Sequence, residues 1–151
     1  MSELSDRDWS IRMHIYRFII DTGRAPSVGA IAATFGIPVT DARQTLHRLE
    51  RPHQIVLEPG GDEIRMAIPL STFPTAHRVR IGDQCLYANC AWDSLGVAAM
   101  LHADAEIEAE AADSDEIIRY AIRDGNLDAP EGLGVQFPLP LRRWYDNIVD
   151  T

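Results

Sequence analysis

A cysteine and an aspartate three residues apart, Cys90 and Asp93, form the pattern with the most chemistry in the chain. Strand-like residues precede Cys90 and a helical pattern follows from 91 to about 102, so the thiol is expected at or beside a helix N-cap. Unpaired backbone N–H groups and the helix dipole favour a thiolate at that end, which predicts a lowered thiol pKa. The spacing of three lays the Asp93 carboxyl over the same first turn. A thiolate placed there can attack a soft electrophile while the carboxyl delivers a proton. Repulsion between the two also raises one of their pKa values and keeps a proton in the site. The same pair admits a plainer reading, because a free Cys is often simply buried and an Asp in a first turn is an ordinary capping residue.

The other candidates carry less. The second thiol, Cys85, is an odd number of residues from Cys90, so on one continuous strand the two face opposite sides; Cys85 is expected to be a core cysteine. His47, with Thr40, Arg43 and Gln44, falls on the outer side of a would-be recognition helix and is expected to be a solvated face. His14 and His53 have no ligand-like partners in sequence, and there is no C-x-x-C or H-x-x-x-H spacing. All fourteen basic residues are arginine, which excludes a side-chain Schiff base and a phosphate-loop lysine.

The elements that must position Cys90 and Asp93 can be read from apolar periodicity and punctuation. A helix is predicted over 6–22, capped by Asp6 and stopped by Gly23. A second runs over 28–35 to Gly36, and a third from Pro38 to about Glu50, stopped by Pro52. The helix–Gly–helix step at Phe35-Gly36-Ile37 is a helix-turn-helix signature, and segments 54–58 and 63–68 around Pro59-Gly60-Gly61-Asp62 form a hairpin. Residues 1–68 therefore read as a three-helix, winged-helix-like domain. Residues 69–76, with two prolines and two threonines, read as a linker. Residues 77–151 read as a small α+β core: strands at 77–81 and 84–88 joined by Gly82-Asp83, a helix at 91–102, strands at 105–109 and 117–123, a turn at Asp124-Gly125, and a last strand at 132–137. A terminal amphipathic segment follows at 141–149, where Trp144 and Tyr145 are expected to pack onto the core.

Charge separates the two halves. Residues 1–68 hold eight arginines against nine acids, and residues 69–151 hold six against fourteen, within a net charge of −9. Such a back half is repelled by phosphate, so nucleic acid is an unfavourable partner. No apolar run approaches the roughly 18–20 residues needed to cross a bilayer, and the acidic start does not suit a secretory signal. With two cysteines in 151 residues, a cytoplasmic location with reduced thiols is the expectation.

The stretch Tyr87-Ala88-Asn89-Cys90-Ala91-Trp92-Asp93-Ser94-Leu95-Gly96 resembles the nucleophile segment of the alkylmercury (organomercurial) lyase family. The stretches Met66-Ala67-Ile68-Pro69-Leu70-Ser71-Thr72-Phe73-Pro74-Thr75 and Phe137-Pro138-Leu139-Pro140, with Arg143-Trp144-Tyr145-Asp146-Asn147-Ile148, are similar to members as well. The resemblance implies an α+β fold of helical domain, hairpin, linker and core. It implies that Cys90 bonds the mercury of an R–Hg compound and that Asp93 supplies the proton releasing R–H, with no organic cofactor. Asn89, Trp92, Trp144, Tyr145 and Asp146 are implied as pocket or supporting residues. The family's lyases share the mercury with a second cysteine, often directly after the segment in which this sequence reaches Thr151. Cys85 is the only other thiol in the sequence, which leaves two expectations: the sequence stops just before that cysteine, or the chain is a divergent member without it.

Three functions follow. The first is a lyase acting on a C–Hg bond or another small electrophile. The second is a binding protein, either a winged-helix DNA-binding regulator or a soft-metal sensor. The third is a thiol protein whose homodimer completes the metal site.

Overall fold

The computed structural model describes residues 4–111, 113–137, 139–146 and 148. The chain divides into two compact units, Met1–Pro74 and Thr75–Thr151.

In the first unit, helix α1 (Asp6–Thr22) begins with a capping box. The Ser5 hydroxyl accepts the Asp8 N–H at 3.2 Å, and the Asp8 carboxylate accepts the Ser5 N–H at 2.9 Å. The cap is therefore Ser5 rather than Asp6. Helix α2 (Val28–Phe35) is capped by Ser27, and both helices stop at glycines in the left-handed region, Gly23 (φ 71°) and Gly36 (φ 62°). Helix α3 spans Val39–Glu50. The apolar stripes converge: Ile11, Ile15 and Ile19 of α1, Ile31 of α2, and Leu46 and Leu49 of α3 are fully enclosed. The expected hairpin forms as the shorter strands β1 (Val56–Leu57) and β2 (Ile64–Ala67), and β3 (Leu70–Ser71) pairs antiparallel with β2. Residues 70 and 71, expected within a linker, are thus strand. Leu70 is completely buried, and burial of that side chain favours pairing over extension into solvent.

One ion pair ties this unit together. The Asp8 carboxylate is almost wholly buried and meets the Arg48 guanidinium of α3 at 2.7 Å, while Arg48 also donates to the Thr45 hydroxyl at 2.6 Å. Burial alone would raise the Asp8 carboxyl. The hydrogen bonds from Arg48 and Ser5, with the Arg48 charge, outweigh burial and hold it well below the usual carboxylate range.

In the second unit, strands β4 (His77–Ile81), β5 (Gln84–Ala88), β6 (Ala105–Glu110), β7 (Ile117–Arg123) and β8 (Asn126–Asp128) form an antiparallel sheet ordered β5-β4-β6-β7-β8. Helix α4 (Ala91–Leu101) packs against β4, β5 and β6. Val97 and Ala98 of α4 close the core with Val79, Leu86, Ala88, Ala105, Ile107 and Ala109. Alternation predicts which faces of β4 to β7 are buried, because a one-residue slip would turn the apolar set outward.

The last strand differs from expectation. Residues 132–137 form no strand; Asn126–Asp128 does. Asp124 (φ 50°) and Gly125 (φ 75°) make the two-residue turn with both φ values positive that matches the twist of a hairpin, so the chain folds straight back onto β7 and occupies its edge. The later segment has no open neighbour on β7. Near the end, Leu141–Asp146 is a 3-10 helix; residues 147 and 149 of the expected amphipathic segment lie outside the described residues. No helix among the described residues is long and apolar enough to cross a membrane.

The Asp8–Arg48 pair should dominate the acid response of the first unit. Because the folded Asp8 carboxyl titrates below its unfolded value, its stabilisation is complete above about pH 4 and is lost as pH falls further. Asp8→Asn is expected to destabilise by about 1–3 kcal/mol at pH 7, less than for a fully enclosed pair because Arg48 is partly exposed. Urea unfolding at pH 7 and pH 3 checks this: the gap between wild type and variant must narrow at the lower pH.

Candidate active site

The site is built at the junction of β5 and α4. Thr75 fixes the end of β5: its hydroxyl donates to the Ala88 carbonyl at 2.6 Å and accepts the His77 N–H at 3.1 Å. Two residues later Cys90, with extended backbone (φ −148°, ψ 177°), is the N-cap of α4. Its sulfur accepts the Asp93 N–H at 3.4 Å. The Asp93 carboxylate accepts the Asn89 side-chain amide at 3.0 Å and lies against the Cys90 thiol. Cys90 and Asp93 are therefore brought together as expected from their spacing, Asn89, which the resemblance implied, joins them, and all three are half-buried.

The direction of the thiol pKa is opposite to the expectation. Burial pushes the Cys90 thiol up, and the negative charge of Asp93 adds to it; the N–H groups of Asp93 and Trp92 pull down and lose. A helix start favours a thiolate, but here the removal of water and a neighbouring carboxylate outweigh it. Burial also raises Asp93 above the ordinary carboxyl value, against the donors from Asn89 and Cys90. At neutral pH Cys90 thus keeps its proton, and the titrations of the two neighbouring acids are coupled.

Behind this first turn lies a hydroxyl chain that sequence reasoning missed. The fully buried Ser94 donates to the Ala91 carbonyl at 2.6 Å, which leaves its oxygen to accept the Tyr120 hydroxyl at 2.8 Å. Tyr120 is on β7, and burial raises its pKa, so the phenol stays protonated beside Cys90. No local motif joins positions 94 and 120. Only the pairing of β7 with β6 brings them together.

Cys90 opens into a cleft of about 630 Å³. Its walls are Leu95, Ile118, Tyr120, Leu127 and the segment from Leu133 to Phe137, with His77, Glu110 and Asp113 at polar positions. Burial lowers the His77 pKa against the pull of Glu110, so the imidazole is neutral near pH 7.

The remaining expected residues are placed differently. Trp92 is 55% exposed and meets the Phe137 ring edge-on at 6.1 Å between centroids. Trp144 stacks on the other side of Phe137 at 5.0 Å, and its indole donates to the Leu139 carbonyl at 2.9 Å. These two rings support a wall of the cleft through Phe137. Tyr145 is exposed, and Asp146 is exposed and paired with Arg143 at 3.1 Å; neither lines the cleft. Cys85 is exposed rather than in a core, opposite Arg80 on the side of the sheet away from Leu86 and Ala88. On α3, Arg43 pairs with Asp62, and His47 faces Asp62 and Glu50 at 3.4 and 3.6 Å. Among the described residues no group of three or more His, Cys, Asp or Glu is arranged to hold a metal, and Cys90 is the soft donor in the cleft.

Residues 70–150, more than half of the chain, match the family model described as alkylmercury lyase. The chain belongs to the alkylmercury lyase family. Every residue of the junction lies within that match. Among solved structures, the mercury-bound form of MerB2 is similar at 28% identity and a TM-score of 0.66, over 83% of this chain and 60% of that one. The chain thus spans less than two thirds of that alkylmercury lyase relative's length. No curated protein matches.

Two outcomes follow from the coupled pair. Asp93→Asn removes the charge that helps hold the Cys90 thiol up, so alkylation of Cys90 by iodoacetamide should shift to lower pH while that of Cys85 stays put; an unshifted Cys90 profile would show the carboxylate is not coupled to it. The same variant should unfold at higher temperature than wild type at pH 7. The folded Asp93 carboxyl titrates above its unfolded value, so wild type loses stability as pH rises from about 4 through the folded pKa, and the variant does not; below pH 4 the two melting temperatures should converge.

Proposed function

We propose that this chain cleaves carbon–mercury bonds, with Cys90 as nucleophile and mercury ligand and Asp93 as proton donor. The observation that carries the reading is the Cys90–Asp93 pair, carboxyl against thiol, with the thiol opening into a cleft with mostly apolar walls. Family membership and the likeness to a mercury-bound MerB2 support mercury as the metal.

The chemistry balances without an external acid. Sulfur attacks the mercury of R–Hg–X and X⁻ departs; the thiol proton passes to the Asp93 carboxylate, whose raised pKa suits it to accept. The species is then Cys90 S–Hg–R beside a carboxylic acid. Proton transfer from Asp93 to the carbon breaks the C–Hg bond and frees R–H, leaving mercury on the sulfur and Asp93 ionised. External thiols remove the metal, and the proton returns to the pair. A soft sulfur donor suits a soft metal. Asn89 orients the carboxylate, and the Tyr120–Ser94–Ala91 chain holds the first turn of α4 against the sheet, so that sulfur and carboxyl keep their relative positions. Mercury is the substrate here, and no organic cofactor enters any step. We place the protein in the cytoplasm, where free thiols persist.

No observation favours the DNA-binding alternative over this one. On α3, Arg43 and His47, which would meet phosphate, face carboxylates of their own unit. Nor does any favour a homodimeric metal site.

Incubation with phenylmercuric or methylmercuric compound and excess thiol should release benzene or methane. Cys90→Ser should abolish release, and Asp93→Asn should slow it about 100-fold or more while still binding mercury. Wild type that binds mercury at Cys90 without releasing hydrocarbon would reduce the protein to a soft-metal binder.

A further inference from the structure

The face of the sheet turned away from the buried core gathers the positive charge of the second unit. Arg78 and Arg80 alternate with the enclosed Val79 on β4, and Glu106 and Glu108 alternate with the enclosed Ala105, Ile107 and Ala109 on β6. Arg119 stands opposite Glu108 in the β6–β7 register, and Arg123, four residues on, shares its side. These side chains surround a cavity of about 580 Å³. Its floor is the small Ala121, which stands opposite Glu106 on one neighbouring strand and Asp128 on the other. Four of the six arginines in residues 69–151 line it, with three of the fourteen acids; the rest of that half keeps two arginines against eleven acids. Ion pairs account for only part of this cluster. Glu108 is held by Arg78 at 3.4 Å and by Arg119 at 3.0 Å. Arg123 lies 3.8 Å from Glu106 and 3.7 Å from Asp128, too far for a hydrogen bond to either. Arg80 has no ion-pair or hydrogen-bond partner among the described residues, although Glu106 is its neighbour in register.

We infer that this cavity binds a small anion bearing two or more acidic groups, one met by Arg80 and another by Arg123. A guanidinium presents a planar fork of donors that matches two oxygens of a carboxylate or a phosphate. The two unbonded forks rise from β4 and β7, which have β6 between them and so run about 10 Å apart. A single acidic group reaches one of them; a ligand with two groups satisfies both across the floor of Ala121. Glu106 and Asp128 are exposed and loosely paired, so each can turn into water as the anion takes its place, at the cost of a weak surface contact. The size of the ligand is limited by what surrounds the cavity. A polymer such as nucleic acid would run from it onto a surface of acids, whereas an anion that ends within the cavity meets only the local arginines. The reading does not depend on Cys90, which does not line this cavity.

Titration calorimetry on the full chain at about 0.01 M ionic strength, where charges act over roughly 30 Å, tests this. Citrate should bind one to one, and acetate at matched ionic strength about tenfold more weakly or worse. Inorganic pyrophosphate in a parallel titration distinguishes the two kinds of acidic group: the tighter of the two probes names carboxylate or phosphate. Arg80→Gln and Arg123→Gln should each weaken the tighter probe by about tenfold, the loss expected for hydrogen bonds to a charged group. Arg142→Gln, outside the cavity, should leave it unchanged. All three positions are exposed, so melting temperatures close to that of wild type show that the fold is kept. Affinity should fall as salt is raised. No saturable binding of either probe would overturn the site. So would binding that survives both cavity substitutions, or that falls equally with Arg142→Gln.

Discussion

A thiol and a carboxyl group held against each other, both partly withdrawn from water, are the constraint on which the site depends. Removing water disfavours each ionised form, and two adjacent acids cannot both ionise cheaply. The favourable effect of the helix start is present, since two N–H groups reach the sulfur, yet it is the smaller effect. The result is a sulfur that remains a thiol at rest. Under the proposed function, a soft metal that bonds this sulfur displaces the proton, the nearest acceptor is the carboxyl whose affinity for a proton burial has raised, and binding and loading of the acid become one event.

Holding two such groups at fixed separation demands a stiff junction. Thr75 pins the last carbonyl of β5 two residues before the sulfur, and Ser94 and Tyr120 brace the first turn of α4 from β7. Asn89, on the one residue between strand and cap, orients the carboxylate. The apolar contacts of α4 with β4, β5 and β6 set the helix axis, while these polar contacts set the rotation of its first turn. A packed face of Val97 and Ala98 alone would tolerate small sliding of the helix; hydrogen bonds of 2.6 to 3.0 Å tolerate much less.

Much of this was legible in the chain. The glycine stops of α1 and α2, the alternation of β4 to β7, and the strand-to-helix junction at Cys90 are local signals, and local signals survive folding when burial agrees with them. The α+β class and the lyase family followed from the same stretches. What was not legible is non-local. Whether 126–128 or 132–137 takes the edge of β7 depends on the Asp124-Gly125 turn geometry, and short alternating segments look alike in sequence. Leu70–Ser71 looked like a linker because prolines surround it, although Leu70 has a core to enter. The sign of the thiol shift depended on how much water the fold removes, which spacing does not report. Tyr120 and the wall from Leu133 to Phe137 are far from Cys90 in sequence and carry no motif.

Several local departures from good folding chemistry lie around Cys90. Helices α1 and α2 begin with serine oxygens that accept backbone N–H groups at 3.2 and 3.1 Å, whereas α4 begins with a sulfur accepting at 3.4 Å, a weaker acceptor at greater length. An ionisable carboxyl is half-buried in the same first turn with no cation paired to it among the described residues, although the first unit buries its own aspartate only with Arg48 in contact. Leucine and phenylalanine stand in water a short way along the same cleft. Each departure costs stability and would be removed by a serine cap, an asparagine, or a polar wall. Together they place a soft donor beside an acid, with the donor opening on an apolar cleft. Three departures from local folding rules around a single sulfur set this junction apart from the caps of α1 and α2.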